Sequence, residues 1–134
     1  MGSLNAFLHP IKTENEEVIV SKRFVDDGKV QPFVIKPVTQ AVNKELIKKY
    51  TEKDKKGNQS LNNAKYTTAL VAAAVVEPDL TNAQLQKQYG VLGAEALLDN
   101  MLYAGEFVTL SEAVQKLSGI DVDEEELIED VKNE

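Results

Sequence analysis

Hydrophobic residues follow two periods along this chain, a period of two near the N-terminus and a helical period afterwards. Between residues 16 and 38, β-branched and aromatic residues alternate with polar ones on either side of Asp27-Gly28. Asp-Gly is a frequent hairpin turn because glycine adopts positive φ at little steric cost. The pattern therefore predicts an antiparallel hairpin in which residues 17–25 pair with about 30–36.

The return strand of this hairpin carries a proline, which limits where it can lie in a sheet. Pro32 has no N–H to donate, so the strand is either an edge strand or begins after the proline. Phe33 and Ile35 then share its apolar face. Because two strands alone are marginally stable in water, we expect the segments that follow to cover this face.

Downstream of the hairpin, apolar residues recur at three- and four-residue spacing, which predicts five short helices. They are placed at about residues 39–50, 62–77, 81–90, 93–102 and 105–119. Thr39 and either Asn62 or Asn63 are candidate caps of the first two. Thr81 and Gln84 have the spacing of a capping box, and the polar stretch around Gly57 predicts a loop.

Together these elements predict an α+β fold, a mainly helical single domain with an N-terminal β-hairpin and about five short helices. Residues 1–15 precede the hairpin as an N-terminal arm, and residues 16–119 form the hairpin and the helical body. Residues 120–134, here called the acidic segment, are expected to be a mobile amphipathic segment.

Two short apolar stripes lie in the terminal parts and are candidate partner-binding residues. The arm contributes Leu4, Phe7 and Leu8, and the acidic segment contributes Leu127, Ile128 and Val131. Segments this short are marginal as isolated helices, so they either order on a partner or pack on their own domain.

Charge is unevenly distributed over the 134 residues, which carry a net charge of −7. Residues 1–67 have 12 Lys/Arg and 8 Asp/Glu, whereas residues 68–134 have 3 and 14. An acidic second half repels nucleic acid phosphates, so no nucleic acid partner is expected. The lysines between residues 44 and 56 are interspersed with acidic residues, which favours a solvated helix face over a binding site for nucleic acid.

Residue types that carry chemistry are sparse, and we expect no enzyme, metal or cofactor. The chain has no cysteine and one histidine, His9, without a second ligand at metal-site spacing. Asp79, Glu95 and Asp99 are possible acid–base residues, but each also suits a helix end or a solvated face. No stretch reaches the ~20 apolar residues of a membrane helix.

The spacing Gly90-x-x-Gly93 raises the possibility of a phosphate-binding loop. No strand immediately precedes these glycines, and no Lys-Ser/Thr pair follows them, as a P-loop requires. Glycines that end one helix and begin the next are the favoured interpretation.

Several pieces of the sequence, taken in order, resemble the XkdN-like tail assembly chaperones of contractile-tailed phages and defective prophages. The pieces are SLNAFL, VSKRF, FVIKPVT, EPDLTNAQLQKQYGVLGAEALLDNML and AGEF, which together extend from Ser3 towards Gly119. The resemblance implies a non-enzymatic helper that acts in the cytoplasm of a bacterial host. It implies binding to the tape measure protein, assistance with tail tube subunits, and absence from mature tails. The alternative is a structural or adaptor component that stays in a phage tail-like particle.

Overall fold

The structure is a computed structural model that describes residues 3–120, and residues 1–2 and 121–134 lie outside the described part. Its helices are α1 (Leu4–Leu8), α2 (Gln40–Tyr50), α3 (Asn63–Ala74), α4 (Ala83–Gln88), α5 (Ala94–Met101) and α6 (Ala104–Leu117). Its strands are β1 (Glu16–Val18), β2 (Val25–Asp26), β3 (Lys29–Val30), β4 (Phe33–Ile35), β5 (Thr51–Lys53), β6 (Gln59–Leu61) and β7 (Val75–Glu77). The predicted α+β fold with a mainly helical body is confirmed.

The predicted hairpin around Asp27-Gly28 is also confirmed. Strands β2 and β3 pair antiparallel, with Val25 opposite Val30. The two turn residues have φ of 52° and 76°, and two positive φ angles are what a two-residue turn of this type requires. The local sequence is therefore sufficient to fix the turn.

Pairing along the hairpin is less continuous than predicted. Strand β1 pairs antiparallel with β4, Val18 opposite Phe33, but residues 19–24 face only residues 31–32. The first strand consequently loops outward before it rejoins its partner, and this loop carries Arg23 towards the helical body.

A third strand changes the position of β4 in the sheet. The order is β1-β4-β7, so β4 is central and begins at Phe33, directly after Pro32. The helix predicted to reach Glu77 ends at Ala74, and β7 follows it. Two β-branched valines and the extended preference of the residue before Pro78 favour a strand here, and β4 supplies its hydrogen bonds.

The predicted loop around Gly57 is instead a second hairpin formed by β5 and β6. The carboxylate of Asp54 accepts hydrogen bonds from the backbone N–H groups of Lys56 (2.8 Å) and Asn58 (2.9 Å). Gly57 has a φ of 84°. An Asp that bonds the backbone two residues on, followed by a glycine at positive φ, is a turn signal that polarity alone does not show.

Most of the predicted helix starts are correct, but the capping box at Thr81 is wrong. Asn82 caps α4, since its side-chain oxygen accepts from the N–H of Leu85 at 2.9 Å. The hydroxyl of Thr81 donates to Asp79 at 2.6 Å instead. Asp79 competes for this hydroxyl, and the helix therefore starts one residue later than predicted. Leu80 is nevertheless buried.

The core lies between one face of the three-stranded sheet and helices α3, α5 and α6. Its largest fully buried side chains are Ile35, Leu70, Val71, Leu97, Leu98, Leu110 and Val114. Helix α3 packs against α2, α5 and α6 and is therefore the central helix of the body. This body leaves the preceding arm outside the core.

Candidate partner-binding surface

The N-terminal arm presents an apolar face that no part of the described body covers. Leu4, Phe7 and Leu8 of α1 are 72%, 78% and 62% exposed, and Ile11 is completely exposed. Side chains at i, i+3 and i+4 share one side of a helix, so the first three form a single surface, here called the arm face. The sequence identified these three residues, and the structure adds Ile11.

Local interactions hold α1 only weakly. The helix has five residues, no buried side chain and no side-chain cap from Ser3. Helices this short are marginal without tertiary packing. Fixing the backbone of the first turn costs more free energy than the few hydrogen bonds of that turn contribute. The arm face is therefore an apolar surface on an element that would gain stability from a covering partner.

A second apolar surface, a groove, lies where the main hairpin meets α4. Its cavity measures about 310 Å³ and is lined mainly by apolar side chains. They are Phe24, Pro32, Phe33, Pro78, Leu85, Tyr89 and Met101. Sequence patterns placed these residues in separate elements, and only the folded chain shows that they line one groove.

A wider groove of about 530 Å³ runs between α3 and the start of α5. Leu92 belongs to the connection between α4 and α5. It lies at the edge of this groove, and its side chain is 92% exposed. The groove also carries Lys65, Glu95 and Asp99, so its lining is more polar than that of the first groove. Leu92 was not singled out in the sequence because the connection between α4 and α5 has no periodic pattern.

An ion pair ties the hairpin to the start of α6. The guanidinium of Arg23 donates to both carboxylate oxygens of Glu106, at 2.6 and 2.8 Å, and to the carbonyl oxygen of Met101 at 3.0 Å. It also stacks over Tyr103, with 4.0 Å between the guanidinium carbon and the ring centre. A two-point carboxylate contact plus a ring contact fixes the orientation of arginine in a way that lysine could not reproduce.

The carboxylate of Glu106 also caps α6. It therefore accepts hydrogen bonds from two N–H groups of Arg23 and from one backbone N–H. The backbone N–H of Tyr103 donates to Glu106 at 2.7 Å. The pKa of Glu106 is lowered to about 2, chiefly because Arg23 donates to the carboxylate, with Ser21 and the Tyr103 N–H adding to the effect against an opposing contribution from burial. The carboxylate therefore remains ionised through the ordinary pH range and holds hairpin and helix together.

Gly90 and Gly93 separate two helices, as the sequence favoured. Gly90 has a φ of 66°, and the N–H groups of Gly90 and Val91 return to the last carbonyls of α4 at 3.0 Å each. This is the bonding pattern of a glycine at a helix C-terminus. Gly93, with a φ of 101°, precedes α5, and its N–H donates to the side chain of Gln86.

The residues weighed as acid–base candidates have ordinary structural roles in the described chain. Asp79 bonds the hydroxyl of Thr81, which lowers the pKa of its carboxyl. Glu95 lies in the first turn of α5, where a carboxylate complements the helix dipole, and Asp99 is exposed one turn later. Within residues 3–120 no three His, Cys, Asp or Glu side chains converge on a possible metal site.

Two further expectations concern the ends of the chain and the membrane. Leu127, Ile128 and Val131 of the acidic segment lie outside the described residues. Among the helices of residues 3–120, none combines the length and the apolar character needed to cross a bilayer.

Residues 4–132 match the family model described as phage XkdN-like tail assembly chaperone protein. The chain belongs to this family. It is also 30% identical to the phage-like element PBSX protein XkdN of Bacillus subtilis (strain 168), over 92% of this chain and 87% of that protein. The resemblance drawn from ordered sequence pieces is confirmed, and the family match extends beyond them into the acidic segment.

A solved structure shares the fold as well. The crystal structure of the protein YqbN superposes with a TM-score of 0.76 at 25% identity, covering 90% of this chain and 99% of that one. Two sequence pieces that carried the family resemblance, VSKRF and AGEF, contain Arg23 and Glu106. The ion pair between them brings these two distant pieces together in this chain.

Proposed function

We propose that this member of the tail assembly chaperone family binds an apolar helical segment of the tape measure protein. In this proposal it keeps that long protein soluble and assists assembly of tail tube subunits in the cytoplasm of the bacterial host. It acts without catalysis and leaves before the particle is finished. The observation that carries the proposal is the arm face, an exposed apolar surface on a weakly held helix.

Helical segments of an unassembled partner expose apolar stripes, and burial of such stripes against another apolar surface is a common recognition mode. Leu4, Phe7 and Leu8 offer three side chains at the spacing of one helix face. Burying each contributes about 1.5–3 kcal/mol before costs. The free-energy cost of ordering the arm and immobilising the partner offsets a large part of this contribution.

The expected affinity is consequently modest, which suits transient binding. Three such anchors give about 4.5–9 kcal/mol before an association cost of at least about 4 kcal/mol, so the arm face alone would bind with a dissociation constant no tighter than about 0.2 mM, and micromolar affinity requires a second contact. Leu127, Ile128 and Val131 are proposed as a second contact of the same kind. A chaperone with this affinity can be displaced when tail tube subunits cover the partner.

The test is co-expression of the tape measure protein with the full-length chain and with full-length variants of each contact. We expect Phe7→Ser with Leu8→Ser to reduce the soluble tape measure protein severalfold, and a triple Ser variant of the C-terminal stripe to act similarly. Val108→Ser is the matched control, because Val108 is 51% exposed on α6 and lies outside both stripes. If both stripe variants solubilise as well as the parent, the contacts are misplaced, and if the parent fails too, the chaperone proposal is wrong.

The composition of the finished particle distinguishes the chaperone proposal from the alternative that the protein is a retained adaptor. Mass spectrometry of purified tails or tail-like particles should find this protein absent, whereas a structural component would be present in a fixed ratio to the tube subunit. A fixed ratio would replace the proposal with the adaptor function.

A further inference from the structure

Helix α2 differs from the other long helices of the described chain because it contributes no buried residue. Of the four helices with eight residues or more in residues 3–120, α3, α5 and α6 each bury at least three side chains. Helix α2 packs mainly against α3, and seven of its eleven residues are exposed. Its outward side is therefore a surface and not part of the core.

This outward side is basic and continues onto the neighbouring hairpin. Lys44 and Lys48 are one turn apart on α2, and Lys48 shares a groove of about 310 Å³ with Lys53 of β5. We call these three residues the lysine face. Ile47, 39% exposed, lies beside it and adds an apolar side chain at its edge.

The acidic side chains near the lysine face form no close ion pair with it within the described residues. Asp54 accepts its hydrogen bonds from the turn that follows it, and Glu52 accepts from the amide of Asn62 at 3.1 Å. Glu45 lies on the flank of α2 and forms no ion pair there, since Arg23–Glu106 is the one salt bridge recorded among residues 3–120. The three lysines thus present their charge to whatever approaches.

The described chain ends near the start of α2, within reach of this surface. The backbone N–H of Val38, two residues before α2, donates to the hydroxyl oxygen of Ser118 at 2.9 Å. Two residues later Ile120 packs against the core, and residues 121–134 follow. Fourteen residues reach at most about 46–50 Å when extended, whereas α2 from Gln40 to Lys48 spans only about 12 Å.

The segment that leaves from this point is complementary in charge and pattern. Residues 121–134 contain eight acidic residues and a single lysine, together with the stripe Leu127, Ile128 and Val131. We propose that the lysine face, with Ile47 at its edge, is the docking surface for the acidic segment of the same chain. This assignment goes beyond the proposed chaperone function, because it holds in the free protein and requires no tape measure protein.

Docking of this kind would give the C-terminal stripe two alternative sites, its own lysine face and an external partner. Exposed ion pairs contribute little individually, so several must act together, and salt should weaken the contact. A partner with apolar side chains can then displace the segment without breaking the core.

Zero-length carbodiimide crosslinking of the full-length protein tests the proposal, with mass spectrometry of the crosslinked peptides. We expect crosslinks from Lys44, Lys48 and Lys53 to carboxylates of residues 123–130. Lys87 is the matched control, because it is an exposed lysine in the last turn of another helix, α4. Crosslinks that favour Lys87 equally, or none from the lysine face, would overturn the proposal.

Mixing equal amounts of ¹⁴N- and ¹⁵N-labelled protein decides which chain supplies the segment. Crosslinked peptides of one isotope support docking within a chain, whereas mixed pairs would show that a second copy supplies it and would overturn the assignment. Raising salt from about 0.01 M to about 1 M shortens the Debye length from ~30 Å to ~3 Å and should reduce the yield.

Charge reversal adds a readout at Lys53, which is itself left unchanged. Lys44→Glu with Lys48→Glu should lower the remaining crosslinks of Lys53 by about threefold or more, as expected for losing two exposed ion pairs. Adding Glu125→Lys and Glu126→Lys should restore the contact between the two regions, and Lys87→Glu should leave it unchanged. An unchanged yield in the double Glu variant would contradict the proposal even if all variants fold normally.

Discussion

Helices α1 and α5 have similar apolar patterns but opposite environments. Leu4, Phe7 and Leu8 in α1 are at least 62% exposed, whereas Leu97 and Leu98 in α5 are fully buried. Both sets lie on one side of a helix. The difference teaches that an amphipathic pattern specifies an apolar face but does not specify what covers it.

Length and connection explain why α5 is covered and α1 is not. Helix α5 lies between two helices of the body and packs against α3. Helix α1 is joined to β1 by residues 9–15, which have no regular secondary structure, and none of the residues 3–15 is buried. Under the proposed function this contrast has a use, because the arm face remains available to a partner.

The largest expected effect comes from truncating equivalent leucines in the two helices. Leu97→Ala should lower the free energy of unfolding by about 2–5 kcal/mol, since it removes buried contacts and leaves a cavity. Leu8→Ala should change it by less than about 0.5 kcal/mol, as is usual for exposed positions. Urea unfolding of both variants measures this, and equal losses would show that the arm packs on the body in solution.

A smaller effect is expected at the ion pair that joins the hairpin to the helical body. The folded pKa of Glu106 is about 2, below its ordinary value of 4.5. The unfolded chain therefore binds the proton more readily, so the stabilisation is complete above about pH 4.5 and is lost as the pH falls towards 2. Stability of the parent should drop across this window, and that of Glu106→Gln should drop less.

The comparison requires a control for the other carboxylates. Asp54 and Asp79 also have lowered pKa values and contribute the same slope to parent and variant. Glu112→Gln changes an exposed glutamate of the same helix that forms no ion pair with Arg23, and it is the matched control. If Glu106→Gln and Glu112→Gln respond identically to pH, Arg23 does not hold the carboxylate in solution.

The smallest expected effect concerns how the two shortest helices begin. Asn82 caps α4 with its side chain, whereas Ser3 makes no such bond to α1. Asn82→Ala should cost about 1 kcal/mol, and Ser3→Ala should cost nothing measurable. Thr81→Ala is the control, since the hydroxyl of Thr81 donates to Asp79 and does not cap α4. A larger loss of stability in Thr81→Ala than in Asn82→Ala would show that Thr81 is the cap after all. Urea midpoints of the three variants give the answer.

Local chemistry in the sequence determined the turns and most helix limits. Asp27-Gly28 fixed a hairpin because its two positive φ angles are inexpensive for these residues. Gly90 and Gly93 separated α4 from α5 for the same reason. The arm face was also identifiable, as an apolar stripe too short to be stable alone.

Only the tertiary structure decided which distant pieces meet. Val75–Glu77 is a strand because β4 supplies hydrogen bonds that compete with the end of α3, and no local pattern contains that partner. Arg23 and Glu106 are 83 positions apart, so their pairing depends on the path of the loop between β1 and β2. The lysine face looked like any solvated helix side until the hydrogen bond between Val38 and Ser118 placed the end of the described chain near the start of α2, from which residues 121–134 are long enough to reach the face. Period and turn chemistry act over a few residues, whereas these contacts depend on how the whole chain packs.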